Sequence, residues 1–205
     1  MKATLFRLSI GIAALALSLQ AKANITVALE PSSQTISAGS PASLNLVISG
    51  LGNYASPSLG GFDFDLSYNP AVLSAVSVVF GTHLDLGIVG SVQNSDLSIP
   101  GVVHLDEVSL ESASDLQANQ PSSFTLATLG FSGVGPGVST IDFTLGGLAD
   151  ETGQISFDFL TQGGQVEVKG AAAVPDLGST ARLFAIGLVG LFAFRRNPFD
   201  FKAFA

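Results

Sequence analysis

The chain has 205 residues and no cysteine, and carries eight Lys/Arg against sixteen Asp/Glu. A disulfide framework, a thiolate metal site and a thiol nucleophile are therefore excluded. Between Asn24 and Gly170 fourteen carboxylates face Lys169 alone, hence a net charge of −13, which excludes nucleic-acid binding, since that needs clustered cations to displace counterions.

The first element is residues 1–23. Lys2 and Arg7 form a basic start, and Ser9 to Leu19 is an apolar run too short for an ordinary membrane span. Ala21-Lys22-Ala23 then supplies the small-x-small pattern a signal peptidase reads. These are the three parts of a secretory signal, with Ala21 and Ala23 placing the cut before Asn24.

Residues 24–170 read as short alternating segments separated by turn clusters, the pattern of an all-β sandwich. Ile25 to Leu29 ends at Pro31-Ser32-Ser33, and Ala42 to Ser49 stops at Gly50 to Asn53. Gly61 to Tyr68 alternates most cleanly: Phe62, Phe64, Leu66 and Tyr68 take one face, while Asp63, Asp65 and Ser67 take the other. Asn69-Pro70 breaks that strand. Val72 to Phe80, Val102 to Leu110, Ser123 to Phe131, Val138 to Leu145, Gln154 to Leu160 and Gln165 to Lys169 follow, with Gly133 to Gly137 and Gly146-Gly147 read as punctuation. Gly81 to Asp96 is poorly patterned and reads as a loop holding at most one short edge strand. No stretch sustains a helical apolar period. The expectation is about nine strands in two packed sheets.

The stretch Leu59 to Leu73, with its G-x-F-x-F-x-L-x-Y-x-P-x-x-L pattern, resembles the N-terminal half of a cohesin-type domain. Ser43 to Ser49, Val76 to Gly81 and Phe124 to Phe131 extend the resemblance over about residues 25 to 169. It implies a nine-stranded jelly-roll/immunoglobulin-like β-sandwich, related in fold to carbohydrate-binding modules. In cellulosomes such domains bind dockerin modules. The resemblance therefore implies a dockerin-like protein partner, with exopolysaccharide binding as the alternative.

Beyond the domain, residues 171–180 form a linker and motif, residues 181–196 an apolar helix closed by Arg195 and Arg196, and residues 197–205 a short tail. Counted from Leu177 to Phe194, the apolar segment would make about 27 Å of helix, with Arg182 inside it, and the Arg pair would act as a cytoplasmic stop. Val174, Pro175, Asp176, Gly178, Ser179 and Thr180, followed by that run and pair, resemble the C-terminal sorting signals of the PEP-CTERM class in their VPDSG form. Leu177 stands where that pattern has Ser, and the chain continues past Arg196. The resemblance implies an exosortase-type membrane protease as partner, an inner-membrane precursor facing the periplasm, and a final place at the cell surface or in the extracellular matrix of a Gram-negative, biofilm-forming bacterium.

Chemistry-bearing constellations are sparse. Asp63 and Asp65 share one strand face about 7 Å apart, a spacing that could help bind calcium or serve a glycosidase; the plainer reading is outward polar residues of an alternating strand. His83 and His104 are the only histidines. Asp85 and Asp106 follow each by two residues, so a metal pair assembled in three dimensions is conceivable, and surface or loop histidines are the simpler expectation. Asp106-Glu107 and Asp150-Glu151 fall near turns or strand ends without a defined calcium loop. No nucleophile elbow, phosphate loop or dinucleotide fingerprint is present, so no catalytic residue, cofactor or metal is assigned. Glycan recognition by a sandwich uses a planar row of exposed aromatics, but the chain has no Trp and only Tyr54 and Tyr68. Tyr68 is in phase with the core phenylalanines. The expected function is a non-catalytic, exported interaction module.

Overall fold

The computed structural model describes residues 24–154, 158–170, 184–186 and 188. Eleven strands and one short helix are found among them, in the order β1 (Ile25–Glu30), β2 (Ser33–Ser37), β3 (Pro41–Ser49), β4 (Leu59–Ser67), β5 (Leu73–Phe80), β6 (Ser91–Asp96), β7 (Val102–Ser109), α1 (Ala113–Asn119), β8 (Ser123–Gly133), β9 (Gly137–Asp150), β10 (Phe159–Gln162) and β11 (Gly164–Lys169). They form two facing sheets, β10-β1-β3-β8-β5 and β2-β11-β9-β4-β7-β6. The all-β sandwich expected from the alternation is present.

The inner faces follow directly from the period of two. In β4, Phe62, Phe64 and Leu66 are buried while Asp63 is exposed and Asp65 half-buried. Leu44, Leu46 and Ile48 of β3 and Leu129 and Phe131 of β8 meet them from the opposite sheet, with Val103 and Leu105 of β7 completing the layer. Each fully buried Leu or Phe contributes roughly 1.5–3 kcal/mol of apolar transfer energy, which makes this single core sufficient without a disulfide. Tyr68 is half-buried, as its phase requires, and lies edge-on to Phe131 at 5.4 Å.

The structure corrects the strand reading in three places. The count is eleven rather than nine because the chain after Pro31 forms a further strand, β2, in the other sheet, and because β6 forms in the stretch expected as a loop. β1 pairs with β10 and β2 with β11, both in parallel. Pro31, expected to end the first strand, is where the chain changes sheet: it offers no N–H to a ladder, and β2 resumes two residues later. Gly146 and Gly147, expected as punctuation, lie inside the 14-residue β9. Gly146 sits opposite Phe64 in register, and a Cβ there would come within 2.8 Å of the Phe64 ring, so its role is to make room. Lastly, α1 carries too few turns to show an apolar period. Its signal was nonetheless written locally, since Ser112 caps the helix by accepting the Asp115 N–H through Oγ at 3.2 Å. The poorly patterned stretch behaves as expected, with β6 an edge strand paired to β7.

One core position is occupied by an acid. Glu107 is 1% exposed and faces inward opposite Phe62. Its Oε1 accepts from Ser91 Oγ at 2.7 Å and Gln93 Nε2 at 2.8 Å, while Oε2 has no protein partner among the described residues. Burial pushes its carboxyl above the ordinary range, against the pull of those two donors. A raised carboxyl pKa means that the folded state holds the proton more tightly than the unfolded chain. Its contribution to stability is therefore present below the unfolded value and lost as pH rises through the folded one. Glu107→Gln is expected to raise the unfolding free energy at pH 8 by on the order of 1 kcal/mol, read as a higher urea midpoint, and to change little at pH 4.

Candidate functional site

The outward face of the six-stranded sheet concentrates the chemistry. Asp63 and Asp65 of β4 point away from the core, and register sets Asp106 of β7 opposite Asp63 and His104 opposite Asp65. Asp96 of β6 lies on the other side of His104. The imidazole Nδ1 is 2.7 Å from Asp65 Oδ1 and 3.8 Å from Asp63 Oδ1, and Nε2 is 3.1 Å from Asp106 Oδ1. With both ring nitrogens facing carboxylates, only the imidazolium can donate to both. Accordingly the His104 pKa is raised, chiefly by the hydrogen bond to Asp65, over an opposing desolvation.

The two histidines are not brought together. His83 stacks on Phe124 at 4.6 Å, and burial lowers its pKa. Asp85 accepts the Gly87 N–H within its own turn. The loop reading holds for His83, whereas His104 stands on a strand among acids of which sequence spacing had linked only Asp106 to it. Among the described residues no group of three His, Asp or Glu side chains is arranged to hold a metal ion.

Beside this cluster runs a groove of about 590 Å³. Its floor is open because three outward positions on neighbouring strands, Gly61, Gly147 and Ala149, carry little or no side chain. Five carboxylates line it: Asp63, Asp106, Glu111, Asp150 and Glu151. Four are engaged by the fold. Asp106 accepts from Asn94 at 2.9 Å, Asp150 accepts the Thr152 and Gln154 N–H groups of its own turn, and Glu151 takes Gln117 Nε2 at 2.7 Å with Ser56 and Ser58. Glu111 receives the backbone N–H groups of Ile88, Val89 and Gly90 at 3.0–3.1 Å. Desolvation acts to raise the Glu111 pKa, but these donors together hold it below the usual range. Asp63 accepts no hydrogen bond among the described residues and is exposed. Its one charged neighbour of opposite sign is the His104 ring, with Nδ1 3.8 Å from Asp63 Oδ1, so most of its surface stays open to an incoming group.

The Glu111 clamp also shapes the rim. By fixing the 88–90 backbone it presents Ile88 and Val89, each 64% exposed. These adjoin Val92 and Val108, paired across β6 and β7, and Leu110, whose N–H binds the Gly90 carbonyl. Together they make an exposed aliphatic strip bordered by carboxylates. The strip was not foreseen, because Ile88, Val89 and Val92 fall in the stretch read as a loop, and Val108 and Leu110 look like ordinary strand residues until register shows which face they take.

Tyr54 is 59% exposed at a loop tip with φ 57°. It stands without a companion ring, since Tyr68 belongs to the core, so the planar aromatic row of glycan-binding sandwiches is not formed by the described residues. Of the export and sorting residues, Asn24 opens the described chain as an exposed position. Ala21, Ala23, Val174, Pro175, Asp176, Gly178, Ser179, Thr180, Arg195 and Arg196 lie outside the described residues. Among those described, no helix is long and apolar enough to cross a membrane.

The sequence matches no known family profile and no curated relative. The fold does find neighbours. A type I cohesin from a cohesin–dockerin complex of Clostridium thermocellum superposes with a TM-score of 0.58 at 11% identity, covering 72% of this chain and 95% of its own. The seventh ScaB type I cohesin of Pseudobacteroides cellulosolvens gives 0.57 at 13%, covering 74% and 96%. A non-cellulosomal cohesin from the archaeon Archaeoglobus fulgidus gives 0.54 at 15%, covering 71% and 91%. At these identities the likeness is one of fold: the sandwich is the cohesin jelly roll.

Proposed function

We propose that this chain is a non-catalytic protein-interaction module that docks a small cationic module of dockerin type on the outward face of its six-stranded sheet. The observation that carries the reading is Asp63, an exposed carboxylate without a hydrogen bond, at the mouth of a glycine-floored groove beside an aliphatic strip. A lysine or arginine stem would lie along Gly61 and Gly147 with its charge at Asp63, and the partner's apolar residues would cover Val92, Val108 and Leu110. The Clostridium thermocellum neighbour was solved as a cohesin bound to a dockerin, which supports a protein partner over a glycan.

Gly147 supplies a clean test. A Cβ there meets nothing within 4 Å and its φ is not positive, so the backbone accepts a side chain at this position and Gly147→Val narrows the groove. Dockerin-like modules encoded in the same genome, titrated calorimetrically, are expected to bind. Asp63→Asn and Gly147→Val should each weaken binding at least about tenfold, or about 1.4 kcal/mol. Binding that survives both variants, or the failure of every such module to bind, would refute the assignment.

The module is further proposed to be exported and then sorted at its C-terminus by an exosortase-type protease, placing it at the cell surface or in the matrix. The supporting features are the 1–23 signal pattern and the Val174 to Arg196 motif. Mass spectrometry of the mature protein should find a start at Asn24 and an end between Val174 and Thr180. Retention of Phe194 to Ala205 would leave a membrane-tethered domain and sink the sorting step.

A further inference from the structure

The opposite sheet differs in kind. The strands β10, β1, β3, β8 and β5 contain a single charged residue, Glu30, at the end of β1. The six strands of the other sheet contain nine, eight of them acidic. Register lays the outward positions of the five-stranded sheet in level rows: Gln162, Ala28, Val47 and Thr125 in one, Glu30, Asn45, Thr128 and Val79 in the next, with Gln162 and Glu30 the only long side chains of the two. Thr128 Oγ1 donates to Asn45 Oδ1 at 2.8 Å, so part of the polar surface is already paired within the sheet.

We infer that this face, whose one charged strand residue is Glu30, docks a second copy of the chain, face to face. Charge selects the occupant. A domain of net charge −13 repels its own kind everywhere except where charge is absent, and two such faces can meet while both acidic sheets stay in water. A charged partner surface would find only Glu30 to pair with on this sheet, whereas a second copy brings the same nearly uncharged rows, in the isologous arrangement of a two-fold dimer. Area is adequate. Five strands at about 4.8 Å and eight residues at about 3.4 Å give on the order of 650 Å², near the roughly 800 Å² per partner of a standard interface. Ser, Thr, Ala and Val also lose little rotamer entropy on docking. Dimerisation by this face leaves the Asp63 groove open on both outer sides, so the dimer would be bivalent toward the partner.

Sedimentation equilibrium of the whole chain tests the inference. A monomer–dimer equilibrium is expected, tightening severalfold between 0.05 and 0.5 M NaCl, because salt screens the repulsion and there is no ion pair at the face to weaken. Ser43→Glu combined with Ser77→Glu, both at exposed outward positions, should weaken it at least tenfold with the circular dichroism melt retained, and Asp63→Asn should leave it unchanged. A chain monomeric at every concentration, a dimer loosened by salt, or one indifferent to the double variant would overturn the inference. The chain has no cysteine, so Asn45→Cys accepts a single nitroxide label. Pulsed electron resonance should then give a label-to-label distance below about 30 Å, as two sheets about 10 Å apart require, and a longer distance would place the contact elsewhere. A monomeric chain that instead binds purified exopolysaccharide through Ser43 and Ser77 would assign the face to glycan.

Discussion

Phe64→Ala is expected to cost about 3–5 kcal/mol, read as a lowered urea midpoint with an unchanged slope. Phe64 is fully buried on β4, the strand that lies between β9 and β7. Its ring centroid lies 5.8 Å from Phe62, 5.4 Å from Phe143 and 6.0 Å from Phe159, the latter two edge-on. Those contacts join three strands, β4, β9 and β10, across the two sheets. The backbone is adapted to the ring as well, since Gly146 has given up its side chain to admit it. Truncation therefore leaves a cavity that β9 cannot close with a side chain of its own. Against a total stability of about 5–15 kcal/mol, the loss threatens the fold at 37 °C. Phe64→Leu, which keeps most of the volume, should retain well over half of the wild-type stability. A loss below about 1 kcal/mol for Phe64→Ala would show that the aromatic cluster is not the centre of the core.

The second large effect belongs to a polar side chain. Gln120→Ala is expected to destabilise by about 2–4 kcal/mol, because it strands buried backbone groups rather than removing apolar surface. Gln120 is fully buried just beyond α1. Its Oε1 accepts the Leu59 N–H at 2.7 Å, and its Nε2 donates to the carbonyls of Leu59 at 2.8 Å and His83 at 3.0 Å. Pairing of β4 with β7 begins only at Gly61 and Val108. At Leu59 the glutamine amide thus takes the place of a neighbouring strand, satisfying both N–H and C=O. It also ties α1, held to the sandwich by buried Leu116, to the start of the site-bearing strand and to the loop after β5. Gln120→Met, similar in length but without the amide, should cost nearly as much as the alanine variant. Hydrogen exchange at the Leu59 amide should accelerate in both. A change within 0.5 kcal/mol would mean that the stranded groups find other partners.

Both positions bear on how the site could be read in advance. The Phe62-Asp63-Phe64-Asp65-Leu66 alternation announced which side chains enter the core and which face water, because a strand's period is a local property. The same pattern named Asp63 as an outward carboxylate. It could not show that Asp63 is the groove acid without a hydrogen bond, since that depends on the engagements of Asp106, Glu111, Asp150 and Glu151. Nor could it join His104 to Asp65, 39 residues away, which only the β4–β7 register does. Gly146 and Gly147 misled for a related reason. A glycine pair in sequence reads as a turn, and here one glycine admits Phe64 while the other floors the groove.

What the sequence determined by itself is what is local or additive: the period of two that makes a β-sandwich, the inward phenylalanines, the turn clusters, the absence of thiol chemistry and the heavily acidic balance. Tertiary structure alone decided that β1 and β2, on either side of Pro31, belong to different sheets, the gathering of the charges on one sheet and their near-absence from the other, and the building of the groove from Gly61, Gly147 and Ala149. Those are matters of register between strands far apart in the chain. A one-residue slip in pairing would exchange every inward side chain for an outward one, so the surface a partner meets is fixed by long-range pairing that no local pattern encodes.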